Sequence, residues 1–106
     1  MPKFLVEASY TTEGYKGLIK DKASGRKTAI NNAAKKLGGK IESIYYSMGE
    51  NDVIFVVDMP DHVSMAALSA AAATAGTART KTTLLLSVDE MDKALGTSVA
   101  YRAPGK

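Results

Sequence analysis

The chain has no cysteine, no tryptophan, one histidine and three prolines among its 106 residues. Without cysteine there is no disulfide, no thiolate nucleophile and no Cys-ligated metal. The lone His62 leaves no second His or Cys from which to assemble a triad or a metal site, so neither a metal nor another cofactor is expected. Long hydrophobic runs are missing too. No window approaches the roughly 18 apolar residues of a membrane span, and the N-terminal MPKFLVEASY lacks the apolar length and cleavage site of a secretory leader. The expectation is a cytoplasmic, soluble protein with no membrane partner. A strong excess of one charge is also absent: the formal net charge is +3. It is uneven, however, since residues 1–48 hold nine Lys/Arg against four Asp/Glu (+5) and the remainder five against seven (−2). That pattern suits a local anionic partner and not general nucleic-acid affinity.

What is present reads as one α+β domain over 1–96 followed by a C-terminal tail over 97–106. Residues 3–11 alternate as a strand, with Phe4, Val6, Ala8 and Tyr10 on one face. The connection TTEGYKGLIKDKASG places Tyr15, Leu18 and Ile19 at helical spacing, enough for one apolar turn tucked against the body. A first helix is expected from Ser24, as N-cap, to Leu37, with Gly38-Gly39 as its stop. A second strand covers 40–48, and GEND, 49–52, makes a hairpin in which Gly49 and Asn51 can take positive φ. The third strand starts at Val53 and ends before Pro60. Asp61 caps an alanine-rich second helix to Gly76, packed tightly on the sheet. A fourth strand over 77–88, a short helix DEMDKAL and the tail complete the chain.

The order βαββαβ is the ferredoxin-like, split-βαβ arrangement: a four-stranded antiparallel sheet with two helices on one face. Its other face needs a cover. Val53 to Val57 and Leu84 to Leu86 are apolar on both sides, the pattern of strands buried on both faces. A four-stranded sheet projects about 350 Å², and contiguous apolar patches of a few hundred Å² usually mark an interaction site. The expected partner is a second copy packed sheet to sheet, as a homodimer or higher oligomer, with the tail swapped or draped over it.

Four stretches carry a resemblance: TEGYKGLIK (12–20), LGGKIESIYYSMG (37–49), Asp52 with the apolar strand and Pro60-Asp61 behind it, and Ala78-Arg79-Thr80 before the fourth strand. In this order they resemble the GYD-domain proteins, small bacterial and archaeal proteins of the dimeric α/β-barrel group, mostly of unknown function. The naming motif, Gly-x-Tyr-Asp, reads Gly49-Glu50-Asn51-Asp52 here, with asparagine in place of the tyrosine. The resemblance implies a fold and a dimer, and no particular reaction.

Several residues can carry chemistry, each with a plainer reading beside it. Lys16, Lys20, Lys22, Arg26 and Lys27 line the basic connection, opposed by Glu13 and Asp21; with the N–H groups of a helix starting at Ser24 they can bind an anion, or they form a solvated loop. Asp52 either orients a ligand, pairs with Arg79 across the sheet end, or accepts local backbone N–H bonds. Asp58 shares a face with Ile54 and Val56; buried, it is a general acid or base, and at the strand end it is solvated or linked to the cap. His62 is a neutral base at a helix N-terminus or a solvated first-turn residue. Tyr45 and Tyr46 send one ring to each sheet face, one to the core and one to a pocket or seam. GYKG, 14–17, fits the clamp of KH-type RNA-binding domains, yet a strand precedes it where that domain has a helix; the G-K-[ST] ending of a phosphate loop is missing as well.

The leading function is a homo-oligomer binding a small anionic ligand between sheet, basic connection and hairpin, through Gly14, Lys20, Arg26, Asp52 and Arg79. The alternatives are a cofactor-independent α/β-barrel enzyme of monooxygenase or isomerase type, with Asp58, His62 or Tyr46 as weak catalytic candidates, and a structural oligomer without ligand. Light scattering at micromolar concentration should report a dimer or larger; a monomer overturns the inference from the two-sided strand.

Overall fold

A computed structural model describes residues 1–106. The elements run β1 (Lys3–Tyr10), α1 (Thr12–Lys36), β2 (Lys40–Tyr46), β3 (Val53–Asp58), α2 (His62–Ala75), β4 (Ala78–Leu85) and α3 (Val88–Leu95). The fold is α+β: three helices and one open, fully antiparallel sheet in the order β2-β3-β1-β4. No helix is long and apolar enough to cross a membrane.

Alternation along β1 sends Phe4, Val6 and Ala8 to the side that also receives Val53, Phe55 and Val57 from β3. Ala34 of α1 and Met65 of α2 close over them, so both helices lie on one face and the core sits beneath them. The other face presents Leu5, Glu7, Ile54 and Val56, half-buried and covered by nothing in this chain. A bulge between Ile41 and Ser43 interrupts the β2–β3 register, and Glu42 within it pairs with Lys3.

The basic connection is helical from Thr12 onward, where a single apolar turn ahead of a helix starting at Ser24 was expected. Thr11 is the N-cap, its hydroxyl accepting from Gly14 N at 3.2 Å, and Glu13 in the first turn suits the dipole. Ser24 caps nothing; its carbonyl accepts from the Thr28 hydroxyl. Helix α1 breaks at Lys22, whose φ of 65° and ψ of 164° belong to a region that side-chain-bearing residues rarely adopt. Of the apolar turn, Ile19 is 76% exposed and points away from the body, while Leu18 is half-buried and Tyr15 packs edge to face on Tyr10. The launch of α1 depends on Gly14, since a Cβ there would collide with the Thr77 carbonyl, which also accepts from Thr11 N at 3.0 Å.

Three further expectations need correction. The connection between β2 and β3 closes through Ser47, whose N–H donates to the Asp52 carbonyl and whose hydroxyl donates to the Asn51 carbonyl; neither Gly49 nor Asn51 has a positive φ. Helix α2 has the foreseen Asp61 cap, 2.7 Å from Ser64 N, and a left-handed Gly76 stop, yet it is not tightly packed. Only its Met65 is buried, because methyl side chains such as Ala71 and Ala75 are too short to fill the space down to the sheet. The strand β4 is mostly exposed, with its Leu84, and Leu86 just past its end, more than half accessible, so the chain alone does not bury this stretch on both faces. Ser87 and Glu90 form a capping box that starts α3, but α3 and everything after it are exposed.

Relief of the backbone strain at Lys22, about 1–3 kcal/mol, exceeds the roughly 0.5–1 kcal/mol entropic cost of a helical glycine. Lys22→Gly is therefore expected to raise the urea unfolding midpoint; a lowered midpoint shows that the break is not strained.

Candidate functional site

Beneath α2 the unfilled space is a cleft of about 280 Å³. The sheet contributes Val6, Ala8, Val53 and Phe55 to its floor, α1 contributes Ile30 and Ala33, and α2 contributes Met65, Leu68 and Ala72. Its polar lining is confined to Tyr10, Arg26, Ser69, Thr77 and Thr80. Arg26 is half-buried, lines this otherwise apolar recess and makes no ion pair. A guanidinium so placed favours a planar anion, which it can bind through two parallel hydrogen bonds. Past Arg26 a smaller polar hollow of about 170 Å³ opens, lined by Tyr10, Glu13, Gly14, Gly17, Asp21, Arg26 and Thr77.

Tyr10, which borders both spaces, is held by Asp52. Its carboxylate accepts from Tyr10 N and from the Tyr15 hydroxyl, both at 2.8 Å, while Asp52 N donates to the Ala8 carbonyl at 2.8 Å. Tyr10 and Tyr15 then meet edge to face, ring centres 5.5 Å apart. The bond to Asp52 raises the Tyr15 pKa above its ordinary value. Tyr46 stands nearby on the helix side, its hydroxyl 3.5 Å from the Ala23 carbonyl. Burial, reinforced by Tyr10, pushes its pKa up to about 12, with Arg26 opposing the rise.

Of the five expected ligand residues, Gly14 and Arg26 come together at the polar hollow. Lys20 is exposed and borders neither space. Asp52 is committed to Tyr10 and Tyr15 and does not pair with Arg79, which stands opposite Ser9 in the β1–β4 ladder. Among the catalytic candidates, Asp58 is buried but is neither solvated nor cap-linked. It accepts from Lys3 Nζ at 2.7 Å on the uncovered sheet face, and Lys3 also pairs with Glu42 at 3.2 Å. Those two carboxylates, Asp58 foremost, raise the Lys3 pKa. His62 is exposed, and neither it nor Asp58 lines the cleft. Tyr10 and Thr77 escaped the reading of the sequence, because only the tertiary fold brings a strand end and a residue between α2 and β4 to the border of both spaces.

A family model described as the GYD domain matches residues 4–95. The chain belongs to the GYD-domain family. No curated protein and no solved structure matched in the corresponding searches. In this GYD domain the motif acid, Asp52, ties β1, the β2–β3 connection and the first turns of α1 together. The motif tyrosine is replaced by Asn51, whose amide donates to Glu7 at 3.1 Å on the uncovered sheet face.

Lys3, Tyr15 and Tyr46 all hold their protons more tightly folded than unfolded, so their contribution to stability is complete below about pH 10 and is lost as pH rises through the folded values, about 12 for Tyr46. Asp61 and Glu90 are lowered by N–H bonds from Ser64 and Ser87; their contribution is present above ordinary carboxylate pKa values and disappears on acidification. Urea midpoints should therefore fall between about pH 10 and 12, less steeply in Tyr46→Phe. A flat profile over that window rules these protonation couplings out.

Proposed function

We propose that this GYD-domain protein is a homodimeric binding module of ferredoxin-like, dimeric α/β-barrel architecture, and that it takes a small amphipathic anion into the cleft beneath α2. One observation carries the ligand reading: Arg26 lies half-buried and unpaired at the mouth of an otherwise apolar recess. Few convergent polar groups on an apolar lining are the usual composition of a small-molecule site. The sheet order β2-β3-β1-β4, with both α1 and α2 on one side, supports the ferredoxin-like assignment.

The dimer is supported by what the chain leaves uncovered. Only 12 of 106 residues are buried, and the radius of gyration is 16.9 Å where a compact chain of this length has about 13 Å. The excess reflects α3 and the tail, whose Val88, Leu95, Val99 and Tyr101 are each at least 70% exposed. A second copy can cover these groups together with Leu5, Ile54 and Val56. The enzymatic alternative has less support, since the only titratable side chains on the cleft are Tyr10 and Arg26.

Titration with naphthoate, followed by amide chemical shifts, is expected to move residues around Phe55, Ala72 and Arg26. Arg26→Gln should weaken binding about tenfold or more, in line with the loss of a charge-assisted bond. Leu68→Trp, which fills the recess, should abolish it. Shifts confined to the uncovered sheet face, or affinity unchanged in both variants, exclude this site.

A further inference from the structure

The apolar cleft and the polar hollow share Tyr10, Arg26 and Thr77, so the two spaces adjoin at these residues. Arg26 supplies a positive charge there, and Asp21 supplies a negative one to the polar chamber. Neither makes an ion pair with the other or with any other residue. Glu13, the remaining acid of that chamber, is already paired with Lys16 at 3.6 Å. What is left is one free cation and one free carboxylate facing the same small volume.

The backbone break explains how they come to face it. On a continuous α-helix, residues five apart point about 140° away from each other. Asp21 and Arg26 are five apart, and they line one hollow because the helix is interrupted between them at Lys22, in a conformation that a lysine adopts only under strain. Strain of this kind tends to sit at ligand clamps.

We propose that the ligand spans both chambers and is a zwitterion of the amino-acid type, with a large apolar side chain in the cleft, its carboxylate on Arg26 and its ammonium on Asp21. This rests on the cleft being a ligand site, and it names the chemistry of the head group. A simple carboxylate binds Arg26 but also meets the Asp21 charge, which weakens its binding without abolishing it; an ammonium one carbon away turns that repulsion into attraction. Tyr10 and Thr77 border both spaces where the head group would sit. Size points the same way, because an apolar cavity of about 150 Å³ holds a benzene ring, and the cleft has about 280 Å³, room for a bicyclic aromatic or an alkyl chain of equal bulk.

Calorimetric titration of the full chain with naphthylalanine, naphthylpropanoate and naphthylethylamine tests the assignment, since the three share one apolar body and differ in the head group. Naphthylalanine is expected to bind at least tenfold more tightly than either of the others, the effect of one charge-assisted contact. Asp21→Asn, at an exposed position, should remove that margin and leave naphthylpropanoate bound as tightly as before or more so. If naphthylpropanoate equals or exceeds naphthylalanine on the wild-type protein, or if the margin survives Asp21→Asn, the zwitterion assignment is overturned while the cleft stands. If none of the three binds, the cleft fails as a ligand site and this assignment fails with it.

Discussion

The arrangement hinges on one carboxylate accepting two hydrogen bonds. Asp52 takes the last N–H of β1 with one oxygen and the Tyr15 hydroxyl with the other, and its own N–H returns to Ala8. A strand end, a loop and a helix are thereby fixed to one another at the point where the chain leaves the sheet. The bond from Tyr10 N does more than satisfy a donor, because it anchors the backbone of a residue that borders both the cleft and the polar hollow. Gly14 complements this from the other side, by letting α1 touch the Thr77 carbonyl.

Given that frame, the cleft follows from side-chain length. Helix α2 crosses the sheet at a height allowed by Met65 and Leu68, while its alanines reach only partway down. A helix built of longer residues would have filled the gap and erased the site. Charge placement adds direction: the uncovered sheet face keeps its acids engaged, Asp58 and Glu42 by Lys3 and Glu7 by Asn51, whereas Arg26 is left without a partner on the helix side. The two faces are therefore chemically distinct, one with its acids paired and the other with an unpaired Arg26 beside an apolar cleft.

How much of this was legible in the sequence depended on the range of the interaction. Strand alternation and caps are local, so the four strands, the Asp61 cap and the Gly76 stop could be read directly. Asp58 was correctly placed on the face of Ile54 and Val56, but its partner Lys3 is 55 residues away and reachable only through the β1–β3 register. Helix α1 was half missed because Tyr15, Leu18 and Ile19 made only one apolar turn ahead of Ser24, which looked like an N-cap. Gly14 is demanded by the contact with Thr77, and the actual break lies at a lysine, for which no local signal exists. Arg26 was recognised as a cation in a basic stretch; that it alone faces an apolar recess emerged only once α2 was in place.

The capping box at Ser87 and Glu90 has a consequence for how the C-terminal arm meets other molecules. A helix of eight residues standing clear of the body is marginal in water, and a capped N-terminus adds about 1 kcal/mol toward holding it. An arm that carries its own start signal is preorganised: it retains helical character before contact and loses less conformational freedom on docking than an unstructured tail. The stripe of Val88, Met91 and Leu95 is thus presented as a shaped surface, and whatever receives it must match a helix in groove width and spacing, not merely in hydrophobicity.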